Sequence, residues 1–167
     1  MSDKSLSQEK INNLILLYKK GLVKEALVEA EQLIENNPNS FFLHNIHGMI
    51  NMNLKKWNKS IESFSKAIEI KQDYAEAHNN LGVALKNLAH LEKAIESYLN
   101  AIKFKPDYAN AHNNLGSVFN DLGRWEEALE SYSKALGYNP ENNEAYENLI
   151  KLLTFYKPKK ANSNSIV

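Results

Sequence analysis

The stretch DYAEAHNNLG at residues 73–82 returns as DYANAHNNLG at residues 107–116, which is 34 positions later. The same spacing pairs four more positions further along, namely Ala94 with Ala128, Tyr98 with Tyr132, Ala101 with Ala135, and Pro106 with Pro140. A period of this length is typical of proteins built from stacked supersecondary units. The sequence therefore predicts a chain organised around one repeating unit.

The composition is typical of a folded domain without a membrane-spanning segment. Of 167 residues, 43% are hydrophobic, and no apolar run approaches the length that crosses a bilayer or forms a signal peptide. The chain has no cysteine, which excludes disulfides and thiolate metal sites. The 20 basic and 20 acidic residues cancel, which argues against nucleic acid or an anionic membrane as a partner. We therefore expect a cytoplasmic protein.

Four repeats can be counted with this period, at residues 7–40, 41–74, 75–108 and 109–142. Within each repeat, apolar residues recur twice at helical spacing, as at Leu81, Leu85 and Leu88. Each repeat is thus predicted to be a hairpin of a first and a second helix. Gly21 and Gly123 stand where the first helix must end in a left-handed residue. Lys55 and Ala89 occupy that site in the second and third repeats, so those two turns are expected to be less stable.

This pattern resembles the tetratricopeptide repeat. That family carries small residues at the eighth, twentieth and twenty-seventh places of each repeat, an aromatic residue at the twenty-fourth and proline at the thirty-second. The third repeat fills these places with Gly82, Ala94, Tyr98, Ala101 and Pro106, and the fourth with Gly116, Ala128, Tyr132, Ala135 and Pro140. The second repeat departs from it with His47 at a place that is usually leucine. The resemblance implies an all-α fold, a right-handed superhelical solenoid of antiparallel helix hairpins.

The predicted domain organisation has an N-terminal tail at 1–6, a repeat domain at 7–156 and a linker or disordered tail at 157–167. The last part of the domain, 143–156, resembles the family's capping helix, a first helix without a second. Its residues Tyr146, Leu149, Ile150 and Leu153 are expected to cover the last hairpin. Leu152, Phe155 and Tyr156 fall outside that stripe. They either fold back at the end of the helix or are covered by another domain or a second subunit.

The sequence offers no sign of catalysis or of a bound cofactor. It lacks a Gly-rich phosphate loop, a metalloprotease motif and a nucleophile elbow. His44, His78 and His112 recur at the fourth place of three repeats, where the family usually has a packed residue, so we interpret them as core residues. His44 and His47 lie one helical turn apart, but no third metal ligand accompanies them. We therefore predict no metal site, no cofactor and no enzymatic activity.

In the resembled family, the first helices line the concave wall of the solenoid, where ligands lie. Of the thirty residues that this assigns to the wall, 11 are asparagine, against 12 of the other 137. The predicted ligand-binding residues are Asn45, Met49, Asn79, Asn80, Asn87, Asn110, Asn113, Asn114, Asn120 and Asn148. An asparagine amide can bond the C=O and N–H of a peptide group whatever the side chains of the peptide. Toward the N-terminus the wall becomes apolar.

Asn80, Asn114 and Asn148 share the sixth place of successive repeats. This is similar to the asparagine ladder in the repeats of O-linked N-acetylglucosamine transferase, which holds polypeptides by their backbone. A different mode of the family, a two-carboxylate clamp for the C-termini of heat-shock chaperones, needs lysine and arginine in the groove. Those places here hold Asn45, Met49, Asn80, Asn110 and Asn114. Neutral amides do not supply the charge-assisted bonds that a terminal carboxylate favours, which excludes the clamp.

The leading functional hypothesis is a non-catalytic scaffold that binds a protein or peptide ligand in extended conformation in the groove. A second hypothesis is a recruiting domain at the N-terminus of a larger modular enzyme, such as a glycosyltransferase, sulfotransferase or oxygenase, whose catalytic part would follow residue 167. A third is an assembly protein that associates with itself through the apolar end of the capping helix. The sequence does not identify the partner.

Overall fold

The structure is a computed structural model that describes residues 3–155, with side chains described from residue 8 onward. This part of the chain is helical throughout, apart from short turns. Its helices are α1 (Asp3–Lys19), α2 (Val23–Asn36), α3 (Phe41–Asn53), α4 (Trp57–Ile70), α5 (Ala75–Asn87), α6 (Leu91–Phe104), α7 (Ala109–Asp121), α8 (Trp125–Tyr138) and α9 (Asn143–Phe155). The predicted all-helical class is confirmed.

The helices follow the predicted repeats. The first helices of the second, third and fourth repeats begin at residues 41, 75 and 109, and α9 begins at 143, each 34 residues after the one before. One boundary differs from the prediction, since α1 already begins at Asp3, inside the expected tail at 1–6. The predicted tail at 157–167 lies outside the described residues.

The chain divides into two compact units between Pro106 and Asp107. The first, called here the N-terminal half, holds the hairpins α1–α2, α3–α4 and α5–α6. The second, the C-terminal half, holds the hairpin α7–α8 and the helix α9.

The second, third and fourth hairpins close over a glycine on the first helix, whereas the first hairpin has Leu14 at that place. The glycine at the eighth place faces an aromatic ring at the twenty-fourth place of the same repeat, Gly82 against Tyr98 and Gly116 against Tyr132. A Cβ built on Gly82 would lie 2.6 Å from the Tyr98 ring, closer than two carbon atoms can approach. Ala94 and Ala101, on the second helix, are fully buried on either side of that ring. Small residues are therefore required at these places because the two helices are in close contact.

Neighbouring hairpins pack through the third and tenth places of the first helix. Leu43 and Ile50, at these places of α3, are buried in one cluster with Leu14 of α1 and with Ala30 and Leu33 of α2. Because α3 shields the apolar side of the α1–α2 hairpin, a repeat of this kind depends on its neighbours for stability.

The turns between paired helices contain the predicted left-handed residues. Gly21 and Gly123 have φ angles of +74° and +70°, and Lys55 and Ala89 have φ angles of +56° and +59°. A side chain with a Cβ is strained in this conformation, whereas glycine is not.

Replacing Ala89 by glycine is therefore expected to stabilise the protein by about 1 kcal/mol, since it removes the left-handed strain from the turn between α5 and α6. Thermal or denaturant unfolding measures the change. The matched variant is Gly123→Ala, which introduces the same strain between α7 and α8 and should destabilise by a similar amount. Equal stability of Ala89→Gly and the wild type would contradict the argument.

The prediction for the capping helix is wrong in its orientation. Ala145 and Leu152 are the buried residues of α9, whereas Tyr146, Ile150 and Leu153 are all more than half exposed. The reason is register: Ala145 and Leu152 occupy the third and tenth places, the places at which Leu43 and Ile50 of α3 are buried. Leu152 is thus part of the core and not of an association surface. Phe155 is 84% exposed, and Tyr156 lies outside the described residues.

Candidate functional site

Asparagine side chains of successive first helices are bonded to each other in the N-terminal half. The amide nitrogen of Asn80 on α5 donates to Oδ1 of Asn45 on α3, at 3.1 Å. Asn79 donates to Oδ1 of Asn80 at 3.4 Å, and Asn45 donates to the hydroxyl of Tyr74 at 3.4 Å. These bonds connect the two helices through polar groups and fix the orientation of the Asn80 amide.

The same geometry recurs in the C-terminal half. The amide nitrogen of Asn148 on α9 donates to Oδ1 of Asn113 on α7, again at 3.1 Å. In both cases the sixth place of one repeat donates to the fifth place of the repeat before it, 35 residues earlier. The bonding thus runs diagonally between two places of the repeat. That Asn80, Asn114 and Asn148 form a ladder for a bound polypeptide remains a prediction.

The predicted asparagines at the fifth and sixth places differ in burial. Asn45, Asn79 and Asn113, at the fifth place, are buried, with 5%, 6% and 2% of their surface exposed. Little of their surface is exposed, and each is hydrogen-bonded to an asparagine at the sixth place. Asn80 and Asn148 are only partly buried. Ligand binding by the asparagines at both places remains a prediction.

The other predicted residues differ in exposure. Asn110 and Asn120 are exposed, and Asn114 is partly buried. Met49 is partly buried, and its sulfur lies 3.8 Å from the Asn45 amide nitrogen. Asn87 is exposed, but its amide donates to the carbonyl of Val83 on its own helix at 2.9 Å.

Asn120 also lines a cleft that the sequence did not reveal. The cleft has a volume of about 270 Å³ and is formed by Asn120, Trp125, Lys151, Leu152 and Phe155. Trp125 and Phe155 both expose much of their rings, at 45% and 84% of their surface. Their separation in the sequence hides this arrangement, which depends on the packing of α9 beside α7 and α8.

Two of the recurring histidines contact the turn that precedes their helix, His44 on α3 and His78 on α5. Nε2 of His44 lies 2.8 Å from the carbonyl oxygen of Pro38, and Nε2 of His78 lies 2.9 Å from that of Gln72. His78 and His112 are buried and stack on Phe104 and Tyr138, with ring centroids 5.4 Å apart in each pair. These contacts agree with a packing role.

His47 belongs to a polar cluster inside the second repeat. Ser63 Oγ donates to the carbonyl of Lys59, so it accepts from Nδ1–H of His47 at 2.8 Å. Nε2 of His47 then accepts from Asn51 at 3.1 Å. Burial lowers the pKa of His47, and the Glu31 carboxylate, 3.9 Å away, opposes this only in part. The arrangement holds a neutral imidazole that is used for packing.

Residues 3–155 hold neither a cluster of metal ligands nor a membrane-spanning helix. No three His, Asp or Glu side chains come together there in a way that would hold a metal ion. No helix in this part of the chain combines the length and the apolar character needed to cross a membrane.

The repeats match two family models. A TPR repeat model matches residues 48–88 and 90–120, and a tetratricopeptide repeat model matches residues 109–142. The chain therefore belongs to the tetratricopeptide repeat family. This membership supports a protein-interaction scaffold as its general class. No curated protein matches the sequence.

Solved structures share the fold. The crystal structure of MamA is 26% identical, with a TM-score of 0.75, over 83% of this chain and 81% of that one. PilF of Pseudomonas aeruginosa is 20% identical, with a TM-score of 0.84, over 92% and 70%. The first TPR of Spaghetti (RPAP3), bound to an HSP90 peptide, is 21% identical, with a TM-score of 0.66, over 68% and 90%. At such low identity the last two show the fold alone.

Proposed function

We propose that this protein is a non-catalytic scaffold whose first helices bind an extended polypeptide through its backbone. The observation that carries the proposal is the hydrogen bond from Asn80 to Asn45. It holds the Asn80 amide in one orientation before any ligand arrives, so that binding costs little side-chain entropy.

The bonding capacity of Asn80 supports a peptide ligand. Its side chain has two N–H groups and two oxygen lone pairs. One N–H donates to Asn45 and one lone pair accepts from Asn79. One donor and one acceptor remain, which is what a peptide group needs for its own C=O and N–H. Asn148 is held in the same way by Asn113 in the C-terminal half.

Apolar surface near these amides suits the side chains of a bound polypeptide. In the C-terminal half, the cleft beside Asn120 offers the rings of Trp125 and Phe155 together with the aliphatic stem of Lys151. In the N-terminal half, Met49 and the exposed ring of Phe42 lie on the same helix as Asn45. Flexible methionine and flat aromatic rings accept many side-chain shapes, so these places favour a hydrophobic residue without strict selection.

The ligand is not of the heat-shock C-terminal type. Recognition of a free carboxylate depends on lysine or arginine, and the corresponding places hold Asn45, Met49, Asn80, Asn110 and Asn114. Internal, uncharged segments of a polypeptide match neutral amides better than a charged terminus does.

The test is binding to an array of short, unrelated peptides by the full chain and by the double variant Asn80→Ala, Asn148→Ala. At each position, loss of the amide removes up to two hydrogen bonds to the backbone of the ligand, each worth about 0.5–1.5 kcal/mol. The binding affinity should therefore fall about tenfold or more. The loss should extend over peptides of different sequence, because the contact is to the backbone. Unchanged binding, or a loss limited to a few peptides, would overturn the proposal.

Folding must be controlled in this experiment, because each substitution leaves a buried asparagine oxygen without its donor, at a cost of about 1–3 kcal/mol. Binding is therefore measured well below the unfolding temperature of the double variant, with its helix content checked by circular dichroism. The matched control is Asn58→Ala, which removes an exposed asparagine from the second helix α4. It should bind as the wild type does.

A further inference from the structure

The second hairpin contains a polar pair at the two places where the third hairpin has leucines. His47 and Asn51 occupy the seventh and eleventh places of α3, and Leu81 and Leu85 occupy the same places of α5. Asn51 is fully buried, and only 18% of the His47 side chain is exposed. The second hairpin therefore has hydrogen-bonding groups in a position where the next hairpin has apolar side chains.

The hydrogen bonds of this pair assign the single proton of the His47 ring. Oγ of Ser63 donates to the carbonyl of Lys59 at 2.7 Å, so it accepts from Nδ1–H of His47. The side-chain nitrogen of Asn51 lies 2.9 Å from the carbonyl oxygen of His47, and it must donate there because a carbonyl oxygen only accepts. The same nitrogen lies 3.1 Å from Nε2 of His47. Nε2 is therefore an acceptor without a proton.

A proton added to Nε2 would face the N–H of Asn51 with another N–H. The Asn51 amide could turn over and present Oδ1, which has no hydrogen-bond partner among the described residues. This rotation would break the bond to the carbonyl of His47 and would move the NH₂ group to a place where Oδ1 now has no contact. A buried N–H without an acceptor is costly. The folded hairpin thus cannot take up the proton without losing a contact.

The charges near His47 act in both directions. Burial is the main cause that lowers the pKa of His47, and His44, Lys59 and Lys56 lower it as well. The Glu31 carboxylate on α2, which is 3.9 Å from Nε2 and more than half exposed, raises it. The other charged residues that line the same cleft are Glu35, Glu62 and Lys66. Burial outweighs Glu31, so the ring is neutral in the folded hairpin.

We propose that this pair makes the second hairpin a proton-sensitive element of the fold, in which a proton on His47 breaks the contacts with Asn51 and Ser63 and separates α3 from α4. The direction of the effect follows from the lowered pKa of the folded state. In the unfolded chain a histidine ionises near pH 6.5. Below that pH the unfolded state binds a proton that the folded state refuses, so stability is full above about pH 6.5 and is lost as the pH falls.

Urea unfolding at pH 7.5 and pH 5.5 tests the proposal. The double variant His47→Leu, Asn51→Leu gives the second hairpin the side chains of the third. On acidification the unfolding equilibrium constant of the wild type should rise by up to about tenfold more than that of the variant, which is the limit for a histidine that stays neutral when folded. His47→Leu alone leaves the bond of Asn51 to the backbone in place and should behave in the same way. The control His90→Gln removes an exposed histidine from the N-terminal half and should keep the wild-type dependence.

Nuclear magnetic resonance of the wild type gives a second result that needs no substitution. The nitrogen shifts of the His47 ring should show the Nδ1–H tautomer, and the ring should be mostly neutral at pH 6.5, where a free histidine is half protonated. Between pH 7.5 and pH 5.5, amide exchange corrected for its intrinsic rate should become faster in α3 and α4 than in α5 and α6. An Nε2–H tautomer, a His47 ring at least half protonated at pH 6.5, or the same pH dependence of unfolding in the wild type and His47→Leu would each overturn the proposal.

Discussion

Replacing Gly82 by alanine is expected to destabilise the protein by about 1–3 kcal/mol, even though alanine is the better helix former. The added Cβ would lie 2.6–2.9 Å from three atoms of the Tyr98 ring. That ring is 1% exposed and is flanked by the fully buried Ala94 and Ala101. Since the ring is almost fully buried, we expect the added Cβ to force the two helices apart.

The same substitution should have the opposite effect once the ring is gone. Tyr98→Ala alone is expected to cost about 3–5 kcal/mol, because it leaves a cavity in the hairpin. In that background Gly82→Ala should stabilise by about 1 kcal/mol, since the helix propensity of alanine remains and the collision does not. Chemical denaturation of the four proteins gives the coupling energy of the two positions.

Gly137→Ala is the control for helix propensity. Gly137 lies within α8, and a Cβ built on it has no neighbour within 4 Å. This variant should be stabilised by about 0.5–1 kcal/mol. A Gly82→Ala protein that gains stability as Gly137→Ala does, or equal effects of Gly82→Ala with and without Tyr98, would show that the contact does not limit the distance between the helices.

The fold was predictable because each signal is local or strictly periodic. The spacing from Asp73 to Asp107 gave the length of the repeat, and the helices α3, α5, α7 and α9 begin at that spacing. The left-handed sites at Lys55 and Ala89 could be found although neither residue is glycine, since the period assigns them to the place that Gly123 fills.

The orientation of the capping helix was not predictable from its own residues. Tyr146, Ile150 and Leu153 have the spacing of a buried stripe, and taken alone they are more hydrophobic than Ala145 and Leu152. Alignment with the third and tenth places of the other first helices would have identified the buried pair. Within α9 the register of the repeat therefore outweighs hydrophobicity.

The hydrogen bonds between asparagines were predictable only in part. The enrichment of asparagine on the first helices could be counted, and its link to ligand binding remains a prediction. The distance between neighbouring helices decides which amides form hydrogen bonds within the protein, as the bond from Asn80 to Asn45 shows. One sequence does not specify that distance, so the buried and the available asparagines could not be separated.

Stability at high pH should depend on the buried tyrosines. Burial raises the pKa of the Tyr98 phenol far above its usual range, and burial together with the Asp121 and Glu144 carboxylates raises the pKa of Tyr132 to about 12. In the unfolded chain a tyrosine ionises near pH 10. Above that pH the unfolded state has lost a proton that the folded state keeps. Each buried tyrosine therefore lowers the stability by up to about 1.4 kcal/mol per pH unit.

Tyr98→Phe is consequently expected to resist alkaline unfolding. The second repeat already has Phe64 at this place, where it is fully buried, so the fold accepts a ring without the hydroxyl. At pH 11 the variant should have lost about 1 kcal/mol less than the wild type, each relative to its own stability at pH 8. Urea unfolding at the two pH values measures this, with Tyr138→Phe as the control because Tyr138 is half exposed. If Tyr98→Phe and the wild type lose stability equally between these pH values, ionisation of the Tyr98 phenol does not drive the alkaline transition.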